Sequence, residues 1–287
     1  MTSEINKQLE FEMYRVLLEI PPQRDLFLEE AFPPRNHALA KSLEEKPSME
    51  ISRALKWSLG NIKEGKDGYI YFLTGKTSLK KQEVFNPETR DFNLEFGPDS
   101  PFTICILNPV TGVFAICRKS KLSPKTETVA KRIRQLIEYS LIDLQYGYQV
   151  KVKTLSDPFG FLERVSACHA VRRFKFWISP SNPIDIEGRF HKTNKELVDE
   201  TGAREGAVAL RGDELDKKII RRIAISVNSV GDNATANIQT RPKDKGTNIS
   251  MKGNPFKLLL TEEEVEAGLA GSRISAAYER ITGNQEE

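Results

Sequence analysis

Leu9, Met13, Val16 and Leu17 recur at helical spacing and predict a helix over residues 5–18, stopped by Pro21-Pro22. Pro33-Pro34 precedes Asn36, a natural N-cap for a helix carrying Leu39 and Leu43. Ser48 caps a third predicted helix, with Ile51, Leu55 and Leu59 on one face and Gly60 near its end. From Gly68 the period changes. The aromatic run Tyr69 to Thr74, bounded by Gly68 and Gly75, predicts a buried strand, and Lys80 to Asn86 its partner. Phe102 to Leu107 and Val113 to Cys117 flank Asn108-Pro109-Val110-Thr111-Gly112, which predicts a hairpin. Ser123-Pro124 opens a long helix with Val129, Ile133, Leu136, Ile137 and Leu144 as its apolar stripe.

The second half reads as alternating short elements. Strands are predicted over 148–154, 171–179 and 207–211, with Asp157-Pro158-Phe159-Gly160 as a turn. Thr193 to Glu196 fits a capping box for a short helix to Gly202, and Asp213 to Arg221 predicts another. Ile223, Ile225 and Val227 alternate like a strand, Gly231-Asp232-Asn233 reads as a hairpin turn, and Ala234 to Thr240 as the return. Phe256 to Leu260 is a last apolar run. Thr261 then caps an acidic first turn, Glu262-Glu263-Glu264, of a helix predicted to reach about Ile281 and to pack back on the first half. The fold class is α+β. Helices with antiparallel sheet fill a first domain, 1–150, and a mixed strand-helix-strand sheet fills a basic second domain, 151–260. An acidic helix and tail occupy 261–287.

Length agrees with two domains, since 287 residues exceed what one small core organises. Mean hydropathy is -0.45, and no stretch approaches the roughly 20 apolar residues of a membrane helix, so no membrane insertion is expected. The polar first twelve residues show no signal peptide, and three cysteines fit a reducing cytoplasm. Cys105 and Cys117 fall within apolar runs and read as buried, inert thiols. Gly75-Lys76-Thr77 lacks the upstream glycine of a phosphate loop, and neither a Gly-x-Ser-x-Gly elbow nor a Cys-x-x-Cys pair occurs. Cys168 and His169 are adjacent, which turns them apart on a strand. No cofactor is expected.

Charge changes the picture. Residues 1–100 hold 14 basic and 17 acidic side chains, residues 101–260 hold 27 and 16, and residues 261–287 hold 2 and 7. A basic middle between acidic ends points to a polyanionic partner. Four clusters carry the excess. The first is Arg118, Lys119, Lys121 and Lys125, continued by Lys131, Arg132 and Arg134. The second is Arg164, Arg172, Arg173 and Lys175, and the third is Lys217, Lys218, Arg221 and Arg222. The fourth is Arg241, Lys243, Lys245, Lys252 and Lys257, on a hydroxylic stretch from 241 to 254 that is expected to be mobile until phosphates order it. No recognition helix or zinc finger is present, so backbone contact rather than base reading is indicated. A metal-dependent nuclease is the alternative. Asp185 and Glu187 place two carboxylates on one strand face near His191 and Lys192, although a polar turn after Pro183 accounts for them more simply. A further alternative is an adaptor whose basic face docks an acidic protein.

The order of the 69–74 strand, the 102–117 hairpin, the helix begun at Ser123 and the strand ending at Asn182-Pro183 is similar to that of lambda-type phage exclusion proteins, the RexA family. That resemblance implies a two-domain α+β protein that binds double-stranded DNA without strong sequence preference. It also implies a homodimer that works beside a second protein of a phage-defence system. It carries over no catalytic residues.

Overall fold

A computed structural model describes residues 7–21, 32–178, 206–253 and 255–282. The strands are β1 (Gln8–Glu19), β2 (Ser48–Ser52), β3 (Leu55–Glu64), β4 (Ile70–Asn86), β5 (Asp91–Asp99), β6 (Phe102–Leu107), β7 (Val113–Cys117), β8 (Gln149–Thr154), β9 (Ala170–Ile178), β10 (Gly206–Arg211), β11 (Ala234–Gln239), β12 (Thr247–Ser250) and β13 (Lys257–Thr261). The helices are α1 (Arg35–Glu44), α2 (Thr126–Asp143), α3 (Phe159–Ala167), α4 (Lys217–Ser229), α5 (Glu262–Glu266) and α6 (Gly271–Thr282). The α+β class holds, with two antiparallel sheets. The larger runs β13-β1-β7-β6-β4-β3-β2, with β8 beside β1 beyond the end of β13 and β5 beside the far half of β4. The smaller is β10-β9-β11-β12. Both β8 and β13, which the sequence places around the second domain, are strands of the larger sheet.

β1 replaces the helix predicted over 5–18. It lies between β7 on one side and β13 and β8 on the other, and Phe11 to Leu18 are all buried. One face, with Tyr14, Val16 and Leu18, joins the core under α1 and α2. The other, with Phe11 and Met13, joins a second core under α5 and α6. A strand buried on both faces shows no alternation, so helical spacing arises in it by coincidence. The segment from Ser48 is likewise a strand pair, β2 and β3, rather than a helix. Trp57 and Leu59 turn inward while Lys56 and Ser58 do not, a period of two that the four-residue spacing of Ile51, Leu55 and Leu59 hides. Residues 80–86 are the continuation of the 17-residue β4 rather than its partner.

The basic second half also differs in detail. Ile223, Ile225 and Val227 belong to α4, not to a strand. Asp216 caps that helix, accepting from the backbone N–H of Lys218 at 2.7 Å and Ile219 at 3.1 Å. Ile220, Ile223, Ala224 and Val227 then form a buried stripe at helical spacing. Gly231-Asp232-Asn233 therefore joins a helix to β11. Asp157-Pro158 opens α3, with Asp157 Oδ1 accepting from Phe159 N at 2.9 Å. The predicted mobile stretch contains β12, and Ile249 and Met251 enter the core beneath the smaller sheet. The Thr261 capping box is present, but the helix it opens is short. Gly268 adopts a φ of 68° after it, and α6 restarts at Gly271, whose N–H meets Asp67 Oδ2 at 2.8 Å. As expected, the C-terminal helical segment packs on the larger sheet.

The two sheets meet at Arg15, the largest fully buried side chain. Its Nε donates to Thr111 O at 3.1 Å, and Nη1 to Ser229 O at 2.5 Å and Tyr278 Oη at 2.9 Å; Tyr278 Oη also donates to Ser229 O at 3.0 Å. β1, the β6–β7 turn, the end of α4 and α6 are thus tied to one guanidinium. Among the described residues no carboxylate pairs with it. Burial pulls its pKa below the ordinary arginine value, and the Tyr278 contact opposes this. Nη2 finds no partner among the described residues. Gly112 permits the Thr111 carbonyl to approach. Its φ is 72°, and a Cβ there would collide with the Val16 carbonyl. Arg15→Ala is expected to cost about 3 kcal/mol or more, because it removes three hydrogen bonds at once, strands the Thr111 carbonyl and empties the space of a fully buried side chain. Tyr278→Phe, which removes one hydroxyl, should cost about 1 kcal/mol. Urea denaturation followed by tryptophan fluorescence measures both.

Glu12, on the opposite face of β1 from Arg15, is also buried. Its carboxylate accepts from Tyr14 Oη at 3.3 Å and from Thr126 Oγ1 at the start of α2. Burial raises its pKa above the ordinary 4.5, and the Glu127 charge adds to this. A carboxyl with a raised pKa binds its proton more tightly in the fold than in the unfolded chain. Its contribution is therefore complete below about pH 4.5 and is lost as pH rises through the folded value. Glu12→Gln should accordingly raise the melting temperature at pH 8 and leave it nearly unchanged at pH 4. Melting curves across that range check the sign.

Candidate nucleic-acid interface

β9 begins the site. Val171, Phe174 and Phe176 face the core beneath the smaller sheet, where α3 and α4 cover them. Simple alternation would bury one of the neighbouring arginines Arg172 and Arg173. It does not, because the pairing of β9 with β11 shifts by one residue between Asn237 and Ile238. This bulge gives β9 an extra residue, and both arginines leave the core. Arg172 turns to Gln239 Oε1, at 3.2 and 3.0 Å, and to Asp213 Oδ1 at 3.0 Å. Arg173 stays on the face away from the helices.

That face is uncovered by any described residue and is laid out in rows. Arg211, Arg173, Asn237 and Asn248 stand side by side across β10, β9, β11 and β12. The next row is Ala209, Lys175, Thr235 and Ser250, and beyond it Ala207 pairs with Trp177. Asn237 Nδ2 donates to Asn248 Oδ1 at 2.9 Å, which holds the first row flat. Small side chains beside long cations make a shallow platform. Arg211 and Arg173 are directly opposite one another, an arrangement that repels when unliganded. Among the described residues no carboxylate lies within ion-pair distance of Arg173, Lys175 or Arg211. Lys175 Nζ sits 4.5 Å from the centre of the Trp177 ring and occupies that ring's face.

The turn between β11 and β12, residues 240–246, closes the platform at the Arg211–Arg173 end. Gln239 Nε2 donates to Asp244 O at 3.0 Å, and Lys243 takes a φ of 73°. Gly246 lies so close to Asn237 that a Cβ would strike its side-chain amide. Arg241, Lys243 and Lys245 are exposed on this turn, and Lys252 is exposed just after β12.

The other predicted clusters lie elsewhere. Lys218, Arg221 and Arg222 are on the outer side of α4, and α4 covers the opposite face of the sheet from Arg173. Lys217 donates to Cys168 O at 2.5 Å, fastening α4 to the start of β9. Arg118, Lys119, Lys121, Lys125 and Arg132 belong to the larger sheet and α2. Arg118 pairs with Glu10 at 3.2 Å and Lys121 with Asp99 at 3.5 Å; Arg132 donates to Gln135 at 2.8 Å, and Lys119 covers the Phe102 ring at 4.5 Å. The sequence thus named Arg173 and the turn lysines, which lie at this face, and Arg172, which turns instead to Gln239 and Asp213. It left out Arg211 and the Asn237–Asn248 pair, because only strand register makes them neighbours of Arg173.

Asp185 and Glu187 lie outside the described residues, as do His191 and Lys192. Among the described residues no three of His, Cys, Asp and Glu gather as metal ligands. Gly75-Lys76-Thr77 is strand rather than loop, with Lys76 Nζ on Leu122 O at 2.7 Å. The three thiols are buried, and burial raises the pKa of each, which suits inert packing groups. No described helix is long and apolar enough to cross a membrane. Arg211→Ala relieves the like-charge pair and is expected to stabilise the unliganded protein by a few tenths of a kcal/mol. The gain should shrink as salt is added, which thermal melts at 20 and 500 mM salt would register. No protein-family model matches this chain, and no curated protein matches its sequence.

Proposed function

We propose that this chain binds double-stranded DNA through its phosphates, without reading sequence, on the open face of β10-β9-β11-β12. The observation that carries the reading is the Arg211–Arg173 row beside Lys175, three cations without a carboxylate counterpart among the described residues. A phosphate between two facing guanidiniums converts mutual repulsion into charge-assisted hydrogen bonding. Asn237, Asn248, Thr235 and Ser250 add neutral donors in the same rows, and Lys243, Lys245 and Lys252 extend the positive rim. Stacking of unpaired bases is disfavoured because Lys175 already covers Trp177, which supports duplex over single strand. The resemblance to lambda-type exclusion proteins supplies the setting, DNA engagement within a phage-exclusion system. Acting there beside a second defence protein is part of the same proposal.

A salt titration on duplex DNA tests this. The slope of log K against log salt should be about -0.9 for each phosphate neutralised. Arg173→Ala with Arg211→Ala should make it shallower by about 2 and weaken binding alike on unrelated sequences. Lys218→Ala with Arg221→Ala, on the far side of the sheet, should leave it unchanged. Salt-independent binding, or the opposite ranking of the two double variants, would remove the proposal. DNA degraded during the titration in the presence of magnesium would replace it with the nuclease.

A further inference from the structure

The far half of β4 and all of β5 leave the larger sheet as a two-stranded arm. β4 pairs with β6 only through Ile70 to Gly75, whereas Ser78 to Asn86 pair with Asp91 to Asp99. Cross-strand partners share a face, so the arm has two unlike sides. Lys80, Gln82, Val84 and Asn86 stand with Gly97, Glu95, Asn93 and Asp91. The other side carries Leu79 with Pro98, Lys81 with Phe96, Glu83 with Leu94, and Phe85 with Phe92. The large apolar residues of this side are exposed: Phe92 by 81%, Phe96 by 68%, Leu94 by 66%, Leu79 by 61% and Phe85 by 48%. Phe85 and Phe92 touch each other, with ring centres 5.1 Å apart, and nothing described covers them. A lone two-stranded ribbon is marginal in water, and this one has a face apolar except for Lys81 and Glu83, with no described layer to pack on.

We infer that this face is the homodimer interface, packed against the same face of a second copy. The pattern is self-complementary. A two-fold axis lying between two arms and crossing them at the level of Gln82 and Glu95 sets Lys81 against the partner's Glu83. The same axis sets Phe96 against the partner's Leu94, Leu79 against the partner's Phe85, and Pro98 against the partner's Phe92. Every apolar group meets an apolar group, and the only two charges on the face meet their opposites twice. The area suffices. Free side chains of this size present about 200 Å² each, so the five exposed groups offer about 600 Å² per copy. Two copies bury about 1,200 Å², the lower bound of a standard stable interface. DNA is a poor occupant, since residues 78–99 carry five acidic side chains against three basic ones.

Sedimentation equilibrium on the full chain without DNA tests the interface separately from the DNA reading. The wild type should be a reversible dimer. Lys81→Glu alone sets glutamate against glutamate and should raise the dissociation constant about tenfold or more, as should Glu83→Lys alone. The double variant Lys81→Glu with Glu83→Lys restores the pair and should return it to within about threefold of wild type. Phe92→Ser with Phe96→Ser should give a folded monomer, its near-ultraviolet dichroism from the buried Trp57 unchanged. A wild type monomeric at all concentrations overturns the inference. So does a dimer that the single charge reversals leave intact, or one that the double reversal fails to restore. DNA binding lost in the serine variant at concentrations where wild type is also monomeric would assign the face to DNA instead.

Discussion

A fully buried arginine side chain lies at the centre of the contacts between the two sheets, beside the Lys153–Asp232 and Asn228–Ser156 links. Arg15 projects from the middle of β1, which pairs with three other strands, and its three hydrogen bonds reach the β6–β7 turn, the last residue of α4 and the hydroxyl of Tyr278 in α6. Each acceptor belongs to an element that also packs elsewhere: α4 on the smaller sheet, α6 on the larger one, the turn between two central strands. A buried cation without a carboxylate is costly to desolvate, so it is tolerated only while all of its neutral partners stay in place. The arrangement fixes position rather than adding net stability. It fixes the end of α4 relative to β1, and through that helix the smaller sheet.

From that placement the polarity of the smaller sheet follows. α3 and α4 cover one face, and no described residue covers the other. The helices take the apolar side chains of β9 and β11, and the bulge at Asn237 and Ile238 sends both adjacent arginines out of the core. An open antiparallel sheet face with cations in register is a rigid presentation of charge. Its spacing is set by the 4.7–4.9 Å between strands rather than by loop conformation.

The sequence displayed part of this plainly. The aromatic strand 69–74, the hairpin around Asn108-Pro109, the long helix before Leu144 and the Thr261 cap each combine a local punctuation signal with a single clean period. β1 lacks alternation because both of its faces are buried. β2 and β3 imitate helical spacing through Ile51, Leu55 and Leu59. The end of α4 imitates a strand, because Ile223 and Val227 lie on its buried stripe while the half-buried Ile225 between them completes an alternation. At the candidate interface, Arg172, Arg173 and Lys175 were visible as a cluster, but pairing Arg173 with Arg211 needs the register across some 38 residues. The arm did have a signal of its own: Phe92, Leu94 and Phe96 alternate with Asn93, Glu95 and Gly97 after a Pro-Glu turn.

The position of β1 has a consequence for biosynthesis. Gln8 to Glu12 pair with Lys257 to Thr261, and Tyr14 to Glu19 with Gln149 to Thr154. As the chain leaves the ribosome, β1 emerges before every strand it pairs with. One stretch of its edge then waits for a partner made about 250 residues later. At the usual 5–20 residues per second, that interval is roughly ten to fifty seconds. During it the stretch Gln8 to Glu12, with Leu9 and Phe11, keeps one edge unpaired, the kind of segment that recruits holding chaperones or pairs with a neighbouring nascent chain.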